Sequence, residues 1–229
     1  MSTAAPPRNR PRATDERWRS SPPAQKRSRE TADRFAAAAE QLLRDRPFEE
    51  ITIQDLVRRT GRPIGSFYAR FASKEALLPV LYERYHDGLE AVVVTRLARI
   101  EWAKLDFPST VAALVDFLLG LYTERRWLIR ALALFTRMRP EALPTDVVAR
   151  RRRVYDHAIE ILMPHRTHIL HANPEAAIRF GVYMVSCVAR EKLLFVEAPL
   201  SRVTPMTRKA LRDELVRTLH AYLAAEPPR

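Results

Sequence analysis

The chain has 229 residues, with 39 Lys and Arg against 27 Asp and Glu, a formal charge of +12 and a hydrophobic share of 47%. That length and apolar content fit one large domain or two small ones and exclude a disordered chain. Only five glycines occur, and there is no GxGxxG or GxxxxGK(S/T) string, which excludes the common phosphate-cradling loops.

Residues 1–29 carry eight cations and two acids, a net of +6, and include Pro6, Pro7, Pro11, Pro22 and Pro23 with little to bury. This start reads as a flexible basic arm over residues 1–25, or as a solubilising tail. It has no apolar core segment, so no secretory signal is expected. The chain's single cysteine, Cys187, rules out an internal disulfide. The run Val111–Leu121 is interrupted by Asp116 and falls short of the roughly 20 apolar residues that span a bilayer. The expectation is a cytoplasmic protein with no membrane partner.

The rest reads as helices punctuated by proline. Lys26–Arg46 carries an apolar stripe at Phe35, Ala39, Leu42 and Leu43, and Pro47 ends it. Thr52 precedes Ile53, Leu56 and Val57, and with Asp55 three residues on it forms an N-cap pattern. That second helix stops at Gly61, and Pro63 suits the first turn of a third, running to about Phe71. Ser73 is expected to cap a fourth helix that opens with Lys74 and Glu75 and continues toward Ile100. Further helices are expected at about 109–123, 125–138, 145–164, 174–195 and 205–224, with Pro108, Pro140, Pro144, Pro164 and Pro205 near their boundaries. Asn173, Pro174 and Glu175 supply cap, N1 proline and acidic first turn. No alternating strand and no repeat is present. The fold class is all-α, with about nine helices.

Helix 174–195 is apolar nearly all round from Phe180 to Ala189, and a helix without a polar face is buried on both sides. Helix 205–224 carries Leu211, Leu215, Leu219, Tyr222 and Leu223 on one face. Together they point to a partner subunit.

Thr52–Phe71 has the spacing of a helix-turn-helix. Its surroundings supply Phe35, Ala38, Ala39, Leu42, Leu43, Phe48, Ile51, Thr52, Ile53, Leu56, Val57, Gly61, Gly65, Ser66, Phe67, Tyr68, Phe71, Ser73, Lys74 and Leu77 in order. Over residues 27–78, and most specifically in GSFYARFASKEALL (65–78), the chain resembles the DNA-binding domain of the TetR family of transcriptional regulators. The resemblance implies a three-helix head over 26–72 and an effector-binding and dimerisation body over 73–229. It also implies a homodimer through helices 174–195 and 205–224, a double-stranded DNA operator, and a small-molecule effector that releases a repressor from a palindromic site. No cofactor, no metal and no enzymatic activity are implied. Two alternatives stay open: a regulator acting without a ligand, and a small metal-dependent all-α enzyme. Pro47, Arg62 and Pro63 depart from the family pattern, where glycine, an apolar residue and a hydroxyl cap are common.

The DNA-binding candidates are Thr52, Gln54, Arg62, Ile64, Gly65, Ser66, Tyr68 and Lys74. Gly65 and Ala69 are small and share one face; Phe67 and Phe71, one turn apart, share the other and should pin the helix to the core. Ser66, Tyr68, Lys74 and Thr52 suit phosphates; Gln54, Arg62, Ile64 and Gly65 suit base edges. Pocket candidates on the middle helices are Phe117, Trp127, Arg130, Phe135, Tyr155, Tyr183 and Arg190. The run Arg150–Arg153 must point one or two guanidiniums inward or toward a neighbour, either as a solvated face or as a site for an anionic effector. His165, His168 and His171 form an H-x2-H-x2-H pattern that would suit a metal only weakly, and Cys187 is expected in the core.

The arm gives a measurable expectation. Deleting residues 1–24 should weaken DNA binding and lower the slope of log affinity against log salt. Fluorescence anisotropy at several salt concentrations measures both, and an unchanged slope would remove the arm from the interface.

Overall fold

In the computed structural model, which describes residues 26–143 and 145–226, ten α-helices and no strand occur among the described residues. The basic arm over residues 1–25 and Pro144 lie outside the described residues. The helices are α1 Lys26–Leu42, α2 Ile53–Thr60, α3 Ile64–Tyr68, α4 Leu78–Leu97, α5 Phe107–Glu124, α6 Arg126–Met138, α7 Val147–Leu162, α8 Pro174–Leu194, α9 Pro199–Val203 and α10 Arg208–Ala224. None of the described helices is long and apolar enough to cross a membrane.

Their ends follow from local chemistry. Asp106, Asn173 and Thr207 each accept a backbone N–H three residues on, at 2.9, 3.0 and 3.1 Å, and so cap α5, α8 and α10. Helix α1 stops short of the expected Arg46, because Leu42 O already receives the N–H groups of Asp45 and Arg46 in tight turns ahead of extended Pro47. The third helix is shorter than expected in its regular part. Its turn nevertheless continues, because the N–H groups of Arg70 and Phe71 both donate to Phe67 O, at 2.9 and 2.8 Å.

The fourth helix departs further. Ser73 makes no side-chain cap bond, and Lys74–Leu77 form a 3-10 turn before α4 begins. Pro79 has no N–H to give to Glu75 O, so the first turn tightens and Leu78 N–H takes that carbonyl instead. Helix α4 ends at Leu97, ahead of Ile100, where the Trp102 indole N–H donates to Leu97 O at 2.9 Å. The unexpected tenth helix is α9. Its carbonyls are held from below by Lys192, whose ammonium donates to Ser201 O at 2.7 Å and Thr204 O at 2.6 Å.

Two apolar clusters organise the molecule. The first is built on α1 (Phe35, Ala39), α2 (Leu56) and α3 (Phe67) with Phe71, and is closed by Leu81 and Tyr82 of α4 and Leu128, Leu132 and Phe135 of α6. The second joins α5, α7, α8 and α10 through residues such as Val111, Leu114, Leu162, Ile178, Val182 and Leu219. Arg84 of α4 pairs with Glu40 of α1 at 3.1 Å, and Arg212 of α10 makes a two-pronged pair with Asp116 of α5 at 2.8 and 2.9 Å.

Helices α8 and α10 approach closely at Gly181. A Cβ there would sit 2.6 Å from Leu219 Cδ1 and 3.4 Å from a Tyr222 ring carbon. Leu219 is fully buried, so its side chain has little room to yield. Gly181→Ala should cost about 1–3 kcal/mol by overpacking, and Leu219→Ala alone about 2–5 kcal/mol by cavity formation. The two changes should be strongly non-additive in denaturant unfolding, because each relieves the other. Simple additivity would mean that Gly181 does not set this contact.

Candidate functional site

The helix-turn-helix stands on interlocking local bonds. Thr52 Oγ1 accepts the Asp55 N–H at 3.1 Å, while Asp55 Oδ2 accepts both the Thr52 N–H at 3.0 Å and the Thr52 hydroxyl at 2.8 Å. This closed capping box fixes the start of α2. The Thr52 backbone and hydroxyl donors, followed by Arg46 at 2.9 Å, hold the Asp55 carboxyl down at about 2. Gly61 ends α2 at φ +65, a left-handed conformation that explains glycine there.

Helix α3 has five residues and cannot persist alone. Phe67 and Phe71 are fully buried and meet the Phe35 ring edge-on, with centroids 5.2 and 6.4 Å away. The opposite side is bare. Ile64 is 45% exposed, Tyr68 is 54% exposed, and Gly65 and Ala69 are exposed. A Cβ at Gly65 would meet nothing within 4 Å, and its φ is not positive, so nothing inside the chain requires glycine there.

The DNA-binding candidates fall on this motif. Thr52 and Gln54 are exposed at the start of α2, Arg62 and Ser66 are half-buried, and Ile64, Gly65 and Tyr68 lie open on α3. Lys74 is tethered: its ammonium donates to Phe48 O at 2.8 Å and Glu49 O at 3.2 Å, and sits 4.7 Å over the Phe48 ring. An ammonium has three N–H donors, so one stays available. The Thr52 hydroxyl proton is given to Asp55. What the start of α2 offers an anion is therefore its first free backbone N–H groups.

A second site lies in the body, as a cavity of about 130 Å³. Five helices line it: Tyr85, His86, Leu89 and Leu97 of α4; Leu114, Phe117, Leu118, Leu121 and Tyr122 of α5; Ile129, Leu132, Ala133 and Thr136 of α6; Arg151, Val154, Tyr155 and Ala158 of α7, with His157 beside them; Val182, Ser186 and Arg190 of α8. On α5, α6 and α7 these are i, i+3, i+4, i+7 stripes. Of the pocket candidates, Phe117, Tyr155 and Arg190 line the cavity. The other four do not, because they sit off these stripes. Phe135 belongs to the stripe of α6 that faces the head core. Trp127 packs beside that core under Arg126. Arg130 donates to Leu194 O at 2.6 Å and lies over the Phe195 ring. Tyr183 is one residue past Val182 and is 54% exposed.

The arginine run divides the same way. Arg150 pairs with Asp146 at 2.7 Å and Asp87 at 2.8 Å, and Arg153 with Glu90 at 3.0 Å, while Arg151 lines the cavity with much of its side chain exposed and Arg152 is exposed away from it. The three histidines are spent on packing. His165 is 3.0 Å from Thr110 Oγ1, His168 stacks on Phe107, and His171 is 2.7 Å from Tyr222 O. Among the described residues no group of three His, Cys, Asp or Glu could hold a metal ion. Cys187 is half-buried on α8, with an Arg190 nitrogen 3.7 Å from its sulfur.

Tyr85, His86, Tyr122 and His157 were missed as cavity residues, whereas the Arg150–Arg153 run contributes Arg151. The α7 stripe 151/154/155/158 was visible in the sequence, and so was the α4 stripe 82/85/86/89/93, but which stripe borders a cavity depends on the helices packed against it. Burial pushes the Tyr85 phenol up to about 12 and raises Tyr122, keeping both neutral. Burial first, then the charges of Arg151 and Arg150, lower His86 from 6.5 to about 4, against a small opposing effect of Asp87. His86 in the unfolded chain takes a proton below about pH 6.5, whereas folded His86 does so only near pH 4. Stability should therefore fall as pH drops through that window. An NMR titration should place His86 near pH 4 and move it upward in Arg151→Gln; a midpoint near 6.5 in the parent protein would contradict the burial.

The family model for bacterial regulatory proteins of the tetR family matches residues 36–81. The HTH-type transcriptional regulator EthR of Mycobacterium tuberculosis, and that of Mycobacterium bovis, are each 39% identical over 59 residues, 26% of this chain and 27% of theirs. The chain thus spans about a quarter of the length of the curated relatives it matches, and the matched stretch is the head. The crystal structure of a protein assigned to the TetR-family transcriptional regulators, from Mesorhizobium loti, superposes with a TM-score of 0.56 at 16% identity, covering 87% of this chain and 98% of that one. That likeness carries the fold through the body. The head is thus similar in sequence to bacterial regulatory proteins of the tetR family, and the described helices as a whole share the fold of the Mesorhizobium loti structure.

Proposed function

We propose that this protein is a repressor that binds a palindromic operator as a homodimer and is released when a small molecule fills the body cavity. The observation that carries the reading is the sharing of two helices between the head core and the cavity. On α4, Tyr82 belongs to the head core and Tyr85 and His86 line the cavity; on α6, Leu132 takes part in both. A ligand that reshapes the cavity therefore acts directly on the side chains that seat the head, which is the differential contact a population shift requires. Release follows if the two α3 helices leave the roughly 34–36 Å separation of successive major-groove faces.

The homodimer reading rests on α8. One side of it packs on α10 and the core, while Phe180, Tyr183 and Val188 are 50%, 54% and 42% exposed. Val196, Leu200, Val203 and Met206, just beyond, add exposed apolar surface in the connection to α10. A second copy of α8 and α10 would cover this face by two-fold symmetry. In this reading Ser66, Tyr68, Lys74 and the start of α2 take phosphates, and Gln54, Arg62, Ile64 and Gly65 meet base edges.

Gly65 offers the sharpest check. Glycine inside a helix costs about 0.5–1 kcal/mol relative to alanine, and no internal contact asks for it. Gly65→Ala should raise unfolding stability by about that amount while weakening binding to operator fragments selected from random DNA. Val188→Arg should yield monomers in light scattering and lose operator binding. If Gly65→Ala stabilises the fold and leaves DNA affinity intact, α3 does not approach DNA through that face.

A further inference from the structure

We propose that the cavity takes a small amphipathic carboxylic acid, with Arg151 and Arg190 holding the carboxylate and a ring-sized apolar body lying among the tyrosines. This deepens the effector reading above and rests on it for its regulatory meaning, though not for the binding itself.

The charge inventory is one-sided. Two guanidiniums line the cavity and no Asp or Glu does. Arginine stays charged at every physiological pH. On the same helix Arg150 and Arg153 are matched by acids of α4 and the α7 start. Among the described residues, Arg151 has no ion pair, and Arg190 has only the 3.7 Å contact from its guanidinium to Cys187 Sγ. His86 lies beside Arg151 and is held neutral, so it adds no positive charge and calls for no second anion. Arg151 is exposed and Arg190 half-buried, so a bound anion would meet two guanidiniums that have no carboxylate partner and remain reachable from solvent.

The remaining lining selects among anions. Most of it is aliphatic or aromatic, and its other polar atoms are phenols, imidazoles and the Thr136 and Ser186 hydroxyls, groups able to hydrogen-bond one small headgroup. His157 Nε2 is buried there without a hydrogen-bond partner, a further open position. A carboxylate matches the planar guanidinium fork, and its single charge costs less to desolvate beside so much apolar surface than the two charges of a phosphate. A cavity of about 130 Å³ is close to the roughly 150 Å³ known to accommodate a benzene ring.

Titration calorimetry on the full chain tests this with phenylacetate, octanoate and the neutral phenylacetamide. Phenylacetate should bind at least about tenfold more tightly than phenylacetamide. Arg151→Gln and Arg190→Gln should each weaken phenylacetate about tenfold and leave phenylacetamide within about threefold, with thermal unfolding reporting that both variants fold. Arg151→Lys, which keeps the charge and loses the fork, should fall between parent and Arg151→Gln. Equal affinity for acid and amide, no binding of either acid, or acid affinity unchanged in both glutamine variants would overturn the proposal; octanoate binding more tightly than phenylacetate would overturn the ring-sized body. Operator binding is read separately. An acid that binds through the arginines yet leaves operator affinity unchanged sinks the effector reading alone. Release of the operator by a neutral compound, with no acid binding, sinks the carboxylate and spares the effector reading.

Discussion

The edge-on contact of Phe67 and Phe71 with Phe35 is the constraint on which the outer face of the helix-turn-helix depends. Helix α3 is too short to form from its own hydrogen bonds, and glycine within it weakens it further. Its orientation is therefore a tertiary property, imposed by two rings one turn apart that are sealed beneath α1. Everything on its outer side, from Ile64 to Tyr68, inherits its position from that burial. The capping box of Thr52 and Asp55 does the equivalent work for α2, where a hydrogen-bonded start replaces an aromatic anchor.

The same logic extends downward. The head core has no floor of its own: Leu81 and Tyr82 from α4 and Leu128, Leu132 and Phe135 from α6 complete it. Those two helices then continue past the head into the cavity wall. The boundary between the head and the cavity-bearing body is thus not a linker but a layer of shared side chains. Arg84 strengthens it by reaching from α4 to Glu40 on α1.

The head was legible because its signals are local. A capping pair, a left-handed glycine, and a phenylalanine pair at i and i+4 each announce themselves within a few residues, and the structure realises all three. The helical fold class was legible from proline placement and period. The departures have physical causes that a linear reading does not hold. Pro79 converts the expected cap at Ser73 into a 3-10 turn, and α9, too short to display a period, depends on a lysine from the preceding helix for its carbonyls. The cavity was half legible. Residue type alone chose Trp127, Arg130 and Phe135 as readily as Phe117 and Tyr155, and only the assembled bundle decides which stripe of α6 looks inward.

That division of α6 carries a consequence for how such a protein diversifies. Its head-facing stripe (128, 131, 132, 135) and its cavity-facing stripe (129, 132, 133, 136) interleave at one-residue offsets and meet at Leu132. Drift in this wall toward a new ligand is screened immediately by the need to keep the head seated, so α6 should change slowly. The walls given by α5 and α7 have no such second duty. Chemical novelty in the cavity is therefore expected to enter by way of Phe117, Tyr122, Arg151 and Tyr155, leaving the packing beneath α3 as inherited.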